Sequence, residues 1–540
     1  MPYRDTLEFL LYDWLDVAAL AARERHAEHT RETFDAVLDT CERIAAEKYA
    51  PFNRLVDTEE PRTEQGADGA LRVVLPQAAR DAFDAYAESG MLAAAQDFEL
   101  GGMQLPFVVE AAANTFFAKA SISINSALLT VGNANLLLAH GTPLQQRVFA
   151  HNELSGRWSG TMCLSEPQAG SSLSDVATRA ELEDADDPLG PRYRLRGNKM
   201  WISSGEHELT ENIVHLVLAK IPDANGQLVP GVKGISLFIV PKKLADVHGQ
   251  LTGVRNDVAL AGLNHKLGWR GTTNTLLNFG EGRFPVDGSA GAVGYLVGPP
   301  GAGLKCMFHM MNEARIGIGM AATMLGMAGY EASLQYAKER LQGRPVGPGG
   351  KDATQPQVRL IAHADIRRML ACARAEVFAA RSIGLACAME IDLAAATGEA
   401  GHAARAAFLT PIAKTYGTDV GCRTADTALQ VHGGMGYVEE TGAAQFLRDV
   451  RITPIYEGTN GIQAMDLVGR KLADGGEAAF SLLDEVTDAA QAARKALPDL
   501  ADAVFRAAQD LRGATESLLL RAAMDRQAGA MPFLHGFARV

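Results

Sequence analysis

Apolar positions near the start of the chain recur three and four residues apart. Leu7, Leu10, Leu11, Trp14, Leu15 and Ala18 fall on one face, the spacing of an amphipathic helix. Residues 4–49 therefore read as two helices. A polar, proline-containing segment at 56–70 is expected to be an exposed loop. Residues 76–158 return to helical patterning, rich in Ala and Leu. Near residue 160 the period changes. Short β-rich runs follow: NKMWIS at 198–203, IVHLVLA at 213–219, GISLFIV at 234–240 and NTLLNF at 274–279. Turn-formers separate them and no helix intervenes, which predicts a small antiparallel β-domain. From Gly303 the pattern is helical again over 303–341, 358–397 and 404–430, with a Gly/Pro-rich connection at 343–356. Long helices with short joints predict a bundle. Residues 475–540 read as two more helices.

The expected division is 1–70, an N-terminal helical extension; 71–159, an N-terminal helical domain; 160–290, a middle β-domain; 291–474, a C-terminal helical bundle; and 475–540, an extra helical segment. The 540 residues are 47% apolar and 21% charged, with a formal net charge of −13. That composition fits a globular protein rather than a disordered one. The acidity disfavours nucleic acid, which needs clustered cations. Six cysteines without a CxxC pair read as reduced structural thiols, so a cytoplasmic location is expected. The N-terminus lacks the basic start and unbroken apolar run of a signal peptide. No stretch approaches the roughly 18 uncharged apolar residues of a membrane span.

Several chemical motifs fail on context. GIGMAA at 317–322 fits G-x-G-x-x-A but lies inside a helical segment, where no strand–turn–helix can aim amides at a pyrophosphate; it reads as close helix packing. GPPGAGLK at 298–305 lacks the spacing of a phosphate loop. His207-Glu208 has no second His one turn on, and no metal site is expected. Three stretches say more. MCLSEPQAGSSLSDV (162–176) is either a plain loop or one that brings amides and hydroxyls to a planar polar ligand. GNKMWISSGE (197–206) carries Trp201, either a core residue or a stacking surface beside hydroxyls. QVHGGMGYVEETGAAQFLRDVRITPIYEGTNGIQ (430–463) combines Gly433, Gly434 and Gly436, which permit close backbone approach, with Glu457, the only charged residue of PIYEGTNGIQ (454–463).

In this order and spacing the three stretches resemble the acyl-CoA dehydrogenase family over about residues 75–475. The similarity is greater to a long subfamily that includes broad-specificity fatty acyl-CoA dehydrogenases and 3-methylmercaptopropionyl-CoA dehydrogenases. LVLAKIPDANG, VKGISLFIVPK, HADIRRML, QVHGGMGYVEETGAAQ and YEGTNGIQA carry it. The resemblance implies a mainly α fold with a central antiparallel β-domain: helical, β-barrel-like and four-helix-bundle parts, with an N-terminal extension and a C-terminal tail.

It further implies FAD-dependent α,β-dehydrogenation of an acyl-CoA thioester, with electrons passed to an electron-transfer flavoprotein. Glu457 matches the catalytic base, and Gly458 the position lining the thioester. Met162, Leu164 and Ser165 match the loop at the flavin pyrimidine edge. Ser171 matches a serine touching FAD and acyl-CoA phosphates, and Arg315 an arginine near CoA. Trp201 and Ser203 match the flavin-packing Trp and its neighbouring hydroxyl. Arg340, Gln430 and Gly434 match contacts to the FAD of a neighbouring subunit, and Thr459 a flavin contact beside the base. A homo-oligomer follows, a dimer rather than a tetramer. Met162 and Ser165 stand where many members have Tyr and Thr, and Gly461 where many have Gln. Two alternatives differ in chemistry: an acyl-CoA oxidase, and a non-enzymatic flavoprotein of the DNA-alkylation-response branch. The second would need a basic tail, whereas acidic residues outnumber Lys and Arg in 475–540.

Overall fold

The computed structural model describes residues 3–540 apart from 67–68, 125–126, 345–346, 348–349, 351 and 523–524. The chain forms two units: 39–105 with 120–314, and 1–38 with 106–119 and 315–540.

The first unit is built on a sheet whose strands lie in the order Val258–Leu263, Asn274–Phe279, Arg192–Ser203, Ala292–Val297, Ile235–Pro241, Asn212–Lys220 and Trp158–Cys163, with Arg179–Asp184 pairing Arg192–Ser203 and Asn212–Lys220. The central strands are β3 (Trp158–Cys163), β4 (Arg179–Asp184), β5 (Arg192–Ser203), β6 (Asn212–Lys220) and β7 (Ile235–Pro241). The others are β10 (Val258–Leu263), β11 (Asn274–Phe279) and β12 (Ala292–Val297). Every residue of β6 and β7 is buried, which explains their nearly continuous apolar sequences. Alternation still sorts the side chains. Val214, Leu216 and Leu218 enter one core with Leu237 and Ile239. Val217 and Ala219 enter the other with Phe238 and Val240. Pairing is antiparallel except that β3, and one residue of β4, run parallel to β6. The β-domain expectation is corrected on that point.

The second unit is helical. Its long elements are α1 (Gly303–Glu339, of which 315 onward belongs here), α2 (Ala364–Thr397) and α3 (Ala400–His432). Shorter helices follow: α4 (Ala443–Val450), α5 (Asn460–Asp466), α6 (Glu477–Ala493), α7 (Pro498–Leu519) and α8 (Ala530–Arg539). The GIGMAA glycine is structural. A Cβ on Gly319 would lie 2.5 Å from the Ala413 carbonyl oxygen, so α1 and α3 meet backbone to backbone. Asp392 of α2 accepts from the Phe107 and Val108 amides, at 2.8 Å and 2.8 Å, and satisfies the N-terminus of the helix Phe107–Ala120.

Two expectations need revision. Residues 56–70 are not a plain loop: Asn53–Thr58 is helical, and β1 (Arg62–Gln65) pairs antiparallel with β2 (Leu71–Val74). Arg62, Thr63, Glu64 and Gln65 are all exposed, so no apolar alternation marks the strand. Among the described residues beyond 475 there are three α-helices, not two, the last of them, α8, only ten residues long. Among the described residues no helix is long and apolar enough to cross a membrane.

Leu237 is fully buried between β6 and β12. Leu237→Ala should cost about 2–5 kcal/mol. Leu182→Ala, on a side chain 57% exposed, should stay within about 0.5 kcal/mol. Denaturant unfolding of the two variants checks the contrast.

Candidate active site

Glu457 sits on a turn that no regular element would make. After α4 the chain closes on itself: Thr453 N–H donates to Val450 O at 3.0 Å, and Asn460 N–H to Pro454 O at 3.0 Å. Glu457 and Gly458 are then both left-handed, with φ of +55° and +79°. That conformation strains any residue with a Cβ. At Gly458 space forbids one as well, since a Cβ would lie 2.5 Å from Gln463 Nε2. Thr459 ends the turn. Its hydroxyl accepts from Ile462 N–H at 3.2 Å and caps α5.

Two side chains, Lys414 and Gln463, bond the turn, and a third, Arg315, lies beside it. Lys414 of α3, fully buried, donates from Nζ to Gly458 O at 3.0 Å and to Asn460 Oδ1 at 3.0 Å. Gln463 Nε2 donates to Glu457 O at 3.3 Å. Arg315 of α1 is buried, with Nη2 3.8 Å from where a Gly458 Cβ would stand. The Glu457 carboxylate is partly buried and accepts no side-chain hydrogen bond among the described residues. Desolvation therefore dominates and raises its pKa to about 7, against the lowering pull of Arg315 and Lys414. Burial likewise pushes Lys414 down to about 8, opposed chiefly by Glu457 and Asp419. A carboxylate near 7 on a braced turn can act as a base at neutral pH.

The other unit has its own braced loop. Lys199 of β5 is fully buried and donates to Leu164 O at 3.0 Å and to Glu166 Oε1 at 2.9 Å. Glu166 also accepts from the Ala177 and Thr178 amides, at 2.8 Å and 3.0 Å. Desolvation works against this carboxylate, yet Lys199 and its other donors hold it below its ordinary value. A Cβ on Gly197 would lie 2.4 Å from Thr178 Oγ1, so the glycine admits the loop against β5. Met200 N–H donates to Ser165 O at 3.0 Å. Register with β11 slips between Thr275 and Leu277, and opposite this bulge Trp201 takes φ +64°. Bulges re-aim side chains; here the indole is turned outward and is 58% exposed. Trp201 is thus not core.

Comparison with known proteins decides the family. The description "Acyl-CoA dehydrogenase, middle domain" matches residues 161–279, and "Acyl-CoA dehydrogenase, C-terminal domain" matches 350–472. A 3-methylmercaptopropionyl-CoA dehydrogenase of Ruegeria pomeroyi is 39% identical over 99% of this chain and 87% of its own length. The chain belongs to the acyl-CoA dehydrogenase family. It is an enzyme, an oxidoreductase of that family. A butyryl-CoA dehydrogenase of Syntrophomonas wolfei is 32% identical, over 86% of this chain and 74% of its own. Among solved structures, Caenorhabditis elegans ACDH-11 in complex with C11-CoA aligns with TM-score 0.76 at 20% identity, over 100% of this chain and 85% of that one. An acyl-CoA dehydrogenase complexed with FAD from Bacillus anthracis aligns with TM-score 0.71 at 22% identity, over 95% and 80%. These two show the shared fold.

The residues singled out in this acyl-CoA dehydrogenase fall into local groups. Glu457, Gly458, Thr459 and Arg315 come together at the turn. Met162, Leu164, Ser165, Trp201 and Ser203 line the loop and strand that Lys199 ties, with Leu164 buried and Ser171 exposed on the same loop. Arg340, at the end of α1, and Gln430 and Gly434, at the end of α3, are exposed. Gly461 is not sterically required, because a Cβ there would meet only Thr459 Oγ1, at 3.8 Å. The sequence reading missed Lys414, Asn460, Gln463, Lys199 and Glu166. The signal for Lys414 was present: one cation in the apolar stretch FLTPIAKTYG of a buried helix. Lys199→Met strands Glu166 as a buried anion and should destabilise by about 3–5 kcal/mol. The double variant Lys199→Met/Glu166→Gln should recover part of that loss in denaturant unfolding.

Proposed function

We propose that this enzyme dehydrogenates a short acyl-CoA between Cα and Cβ, with Glu457 as the base. The observation that carries the reading is a desolvated carboxylate near pKa 7, presented on a left-handed turn between two cations. Glu457 removes the Cα proton. The electron pair of that C–H bond becomes the second bond between Cα and Cβ, as hydride leaves Cβ. The Glu457 and Gly458 amides donate to no backbone carbonyl among the described residues. The Glu457 amide is assigned to the thioester carbonyl, where a donor stabilises the enolate-like charge. Arg315 adds positive charge near the same place and serves the CoA side.

The cofactor is FAD; when bound it would supply the hydride acceptor, and an electron-transfer flavoprotein would serve as the final electron acceptor. The chain's own residues suit it. Trp201 offers an exposed indole face, Ser165 and Ser203 offer hydroxyls, and Met162 and Leu164 supply the loop backbone. Ser171 is assigned to phosphates and Thr459 to the flavin beside the base. Gly434, with open space where a Cβ would stand, is assigned with Gln430 and Arg340 to the FAD of a second copy in a dimer. A short acyl chain follows from the two relatives, which by name act on 3-methylmercaptopropionyl-CoA and butyryl-CoA. A panel from C4 to C18 plus 3-methylmercaptopropionyl-CoA should peak at the short end. Rapid peroxide formation in air would instead make the enzyme an oxidase.

Glu457 must be ionised to act, so kcat/KM should fall as pH drops below about 7, and Glu457→Gln should lose at least about a thousandfold. A second readout needs no turnover. The raised pKa means that the folded state holds a proton on Glu457 which the unfolded chain has released between the ordinary carboxylate range and about 7. Folding is therefore penalised as pH rises through that window. The melting temperature of Glu457→Gln relative to wild type should increase from pH 5 to pH 8. A difference independent of pH would refute the raised pKa.

A further inference from the structure

Helix α8 packs by its apolar side and reaches inward by one polar residue. Ala530, Phe533, Leu534, Phe537 and Ala538 are buried, the three- and four-residue spacing of a single face. Phe537 meets Phe408 of α3 edge to face, at 5.1 Å between ring centroids. His535 lies edge-on to Tyr416 of α3 at 6.2 Å, and its Nε2 stands 3.0 Å from Asp419 Oδ2. Asp419 only accepts, so Nε2 carries the proton. The other ring nitrogen, Nδ1, is buried with no hydrogen-bond partner among the described residues.

From Asp419 a chain of polar atoms leads to the catalytic turn. Asp419 Oδ1 accepts from Asn460 Nδ2 at 2.8 Å. Asn460 Oδ1 accepts from Lys414 Nζ at 3.0 Å, and the same ammonium donates to Gly458 O at 3.0 Å. Thr418 Oγ1, 3.0 Å from Asn460 Nδ2, completes the cluster. Each link has one possible polarity. The carboxylate accepts from both sides, the ammonium donates to both sides, and the Asn460 amide between them can face only one way. Charge-assisted bonds at both ends make the bridge stronger than a neutral one.

We propose that α8 is a working part of the active centre: the series His535–Asp419–Asn460–Lys414 fixes the turn bearing Glu457 and keeps a positive charge beneath it. The proposal rests on Glu457 being the base. The facing charges support it. Lys414 is pushed down by burial and by Arg315, and held up by Glu457, Asp419 and Cys422. Glu457 is pushed up by burial and drawn down by Arg315 and Lys414. Arg315 in turn feels Asp466, Glu457 and Arg470. Removing the charge of Asp419 lowers the Lys414 pKa further. Lys414 then loses its proton nearer neutrality, and Glu457 loses one of its two cations and becomes harder to ionise.

The test uses the FAD-loaded full chain and butyryl-CoA. Asp419→Asn should shift the acidic limb of kcat/KM to higher pH by about half a pH unit or more, with KM at the pH optimum little changed. His535→Phe keeps a ring on the apolar seat but removes the donor. It should lower kcat about three- to tenfold and speed hydrogen–deuterium exchange in 454–463, a readout independent of turnover. His535→Gln, whose amide can donate to Asp419, should restore both. Circular dichroism and melting identify folded variants, and if Asp419→Asn does not fold, the His535 pair carries the test. An unshifted limb in folded Asp419→Asn, or wild-type exchange and kcat in His535→Phe, overturns the proposal. Retained turnover in Glu457→Gln is a different failure: it removes the base assignment on which the proposal rests.

Discussion

The active turn depends on a buried ammonium. Lys414 carries a positive charge on a fully buried side chain, a placement tolerated only if the charge is paired and hydrogen-bonded. Its two acceptors are Gly458 O and Asn460 Oδ1, and both lie just past Glu457. The turn therefore cannot move without stranding the cation. This tie offsets the strain of consecutive left-handed residues at 457 and 458, of order 1–3 kcal/mol for a non-glycine position. Strain of that kind persists only where the surroundings over-determine the backbone.

The same device recurs in the other unit with the opposite electrostatic result. Lys199 is buried like Lys414 and also grips main chain, at Leu164 O. Its partner Glu166 collects amide and hydroxyl donors along with the ammonium and is held below the ordinary carboxylate range. Glu457 has cations nearby but, among the described residues, no side-chain hydrogen bond to its carboxylate, and its pKa rises. Proximity to a lysine does not by itself decide the protonation state of an acid. Direct donors to the charged form do. One carboxylate is thereby held ionised as a structural tie, and the other is left with a raised pKa.

Placing these ties on long elements stiffens the local structure in each unit. Lys414 and Asp419 project from α3, which packs backbone to backbone on α1 through Gly319. Arg315 projects from α1 itself. Lys199 belongs to the longest strand of the sheet, two residues before the bulge that turns Trp201 outward. Groups that must be held to fractions of an ångström are thus carried by helices and strands, while the loops supply only main chain and small side chains.

Periodicity made most of the architecture legible. The runs at 213–219 and 274–279 lie within or coincide with β6 and β11, and the long helices follow their apolar repeats. It failed at β1, where an exposed hairpin strand has no apolar face to show, and it undercounted the helices beyond 475, where α8 is only ten residues long. Glu457 and Trp201 were singled out through the resemblance to a family, because their local sequence suited a loop acid and a core residue equally well. Lys414 left a trace as the one cation of an apolar helical stretch, but Asn460, Asp419 and His535 left none, because nothing local distinguishes a polar residue that will be buried from one that will be solvated. By itself the sequence determined the order of elements, the family and the candidate base, which are encoded in local patterns and motifs. Tertiary structure alone decided which charges meet beneath the turn, and hence the pKa of Glu457, because desolvation and Coulomb terms depend on distances between residues far apart in the chain.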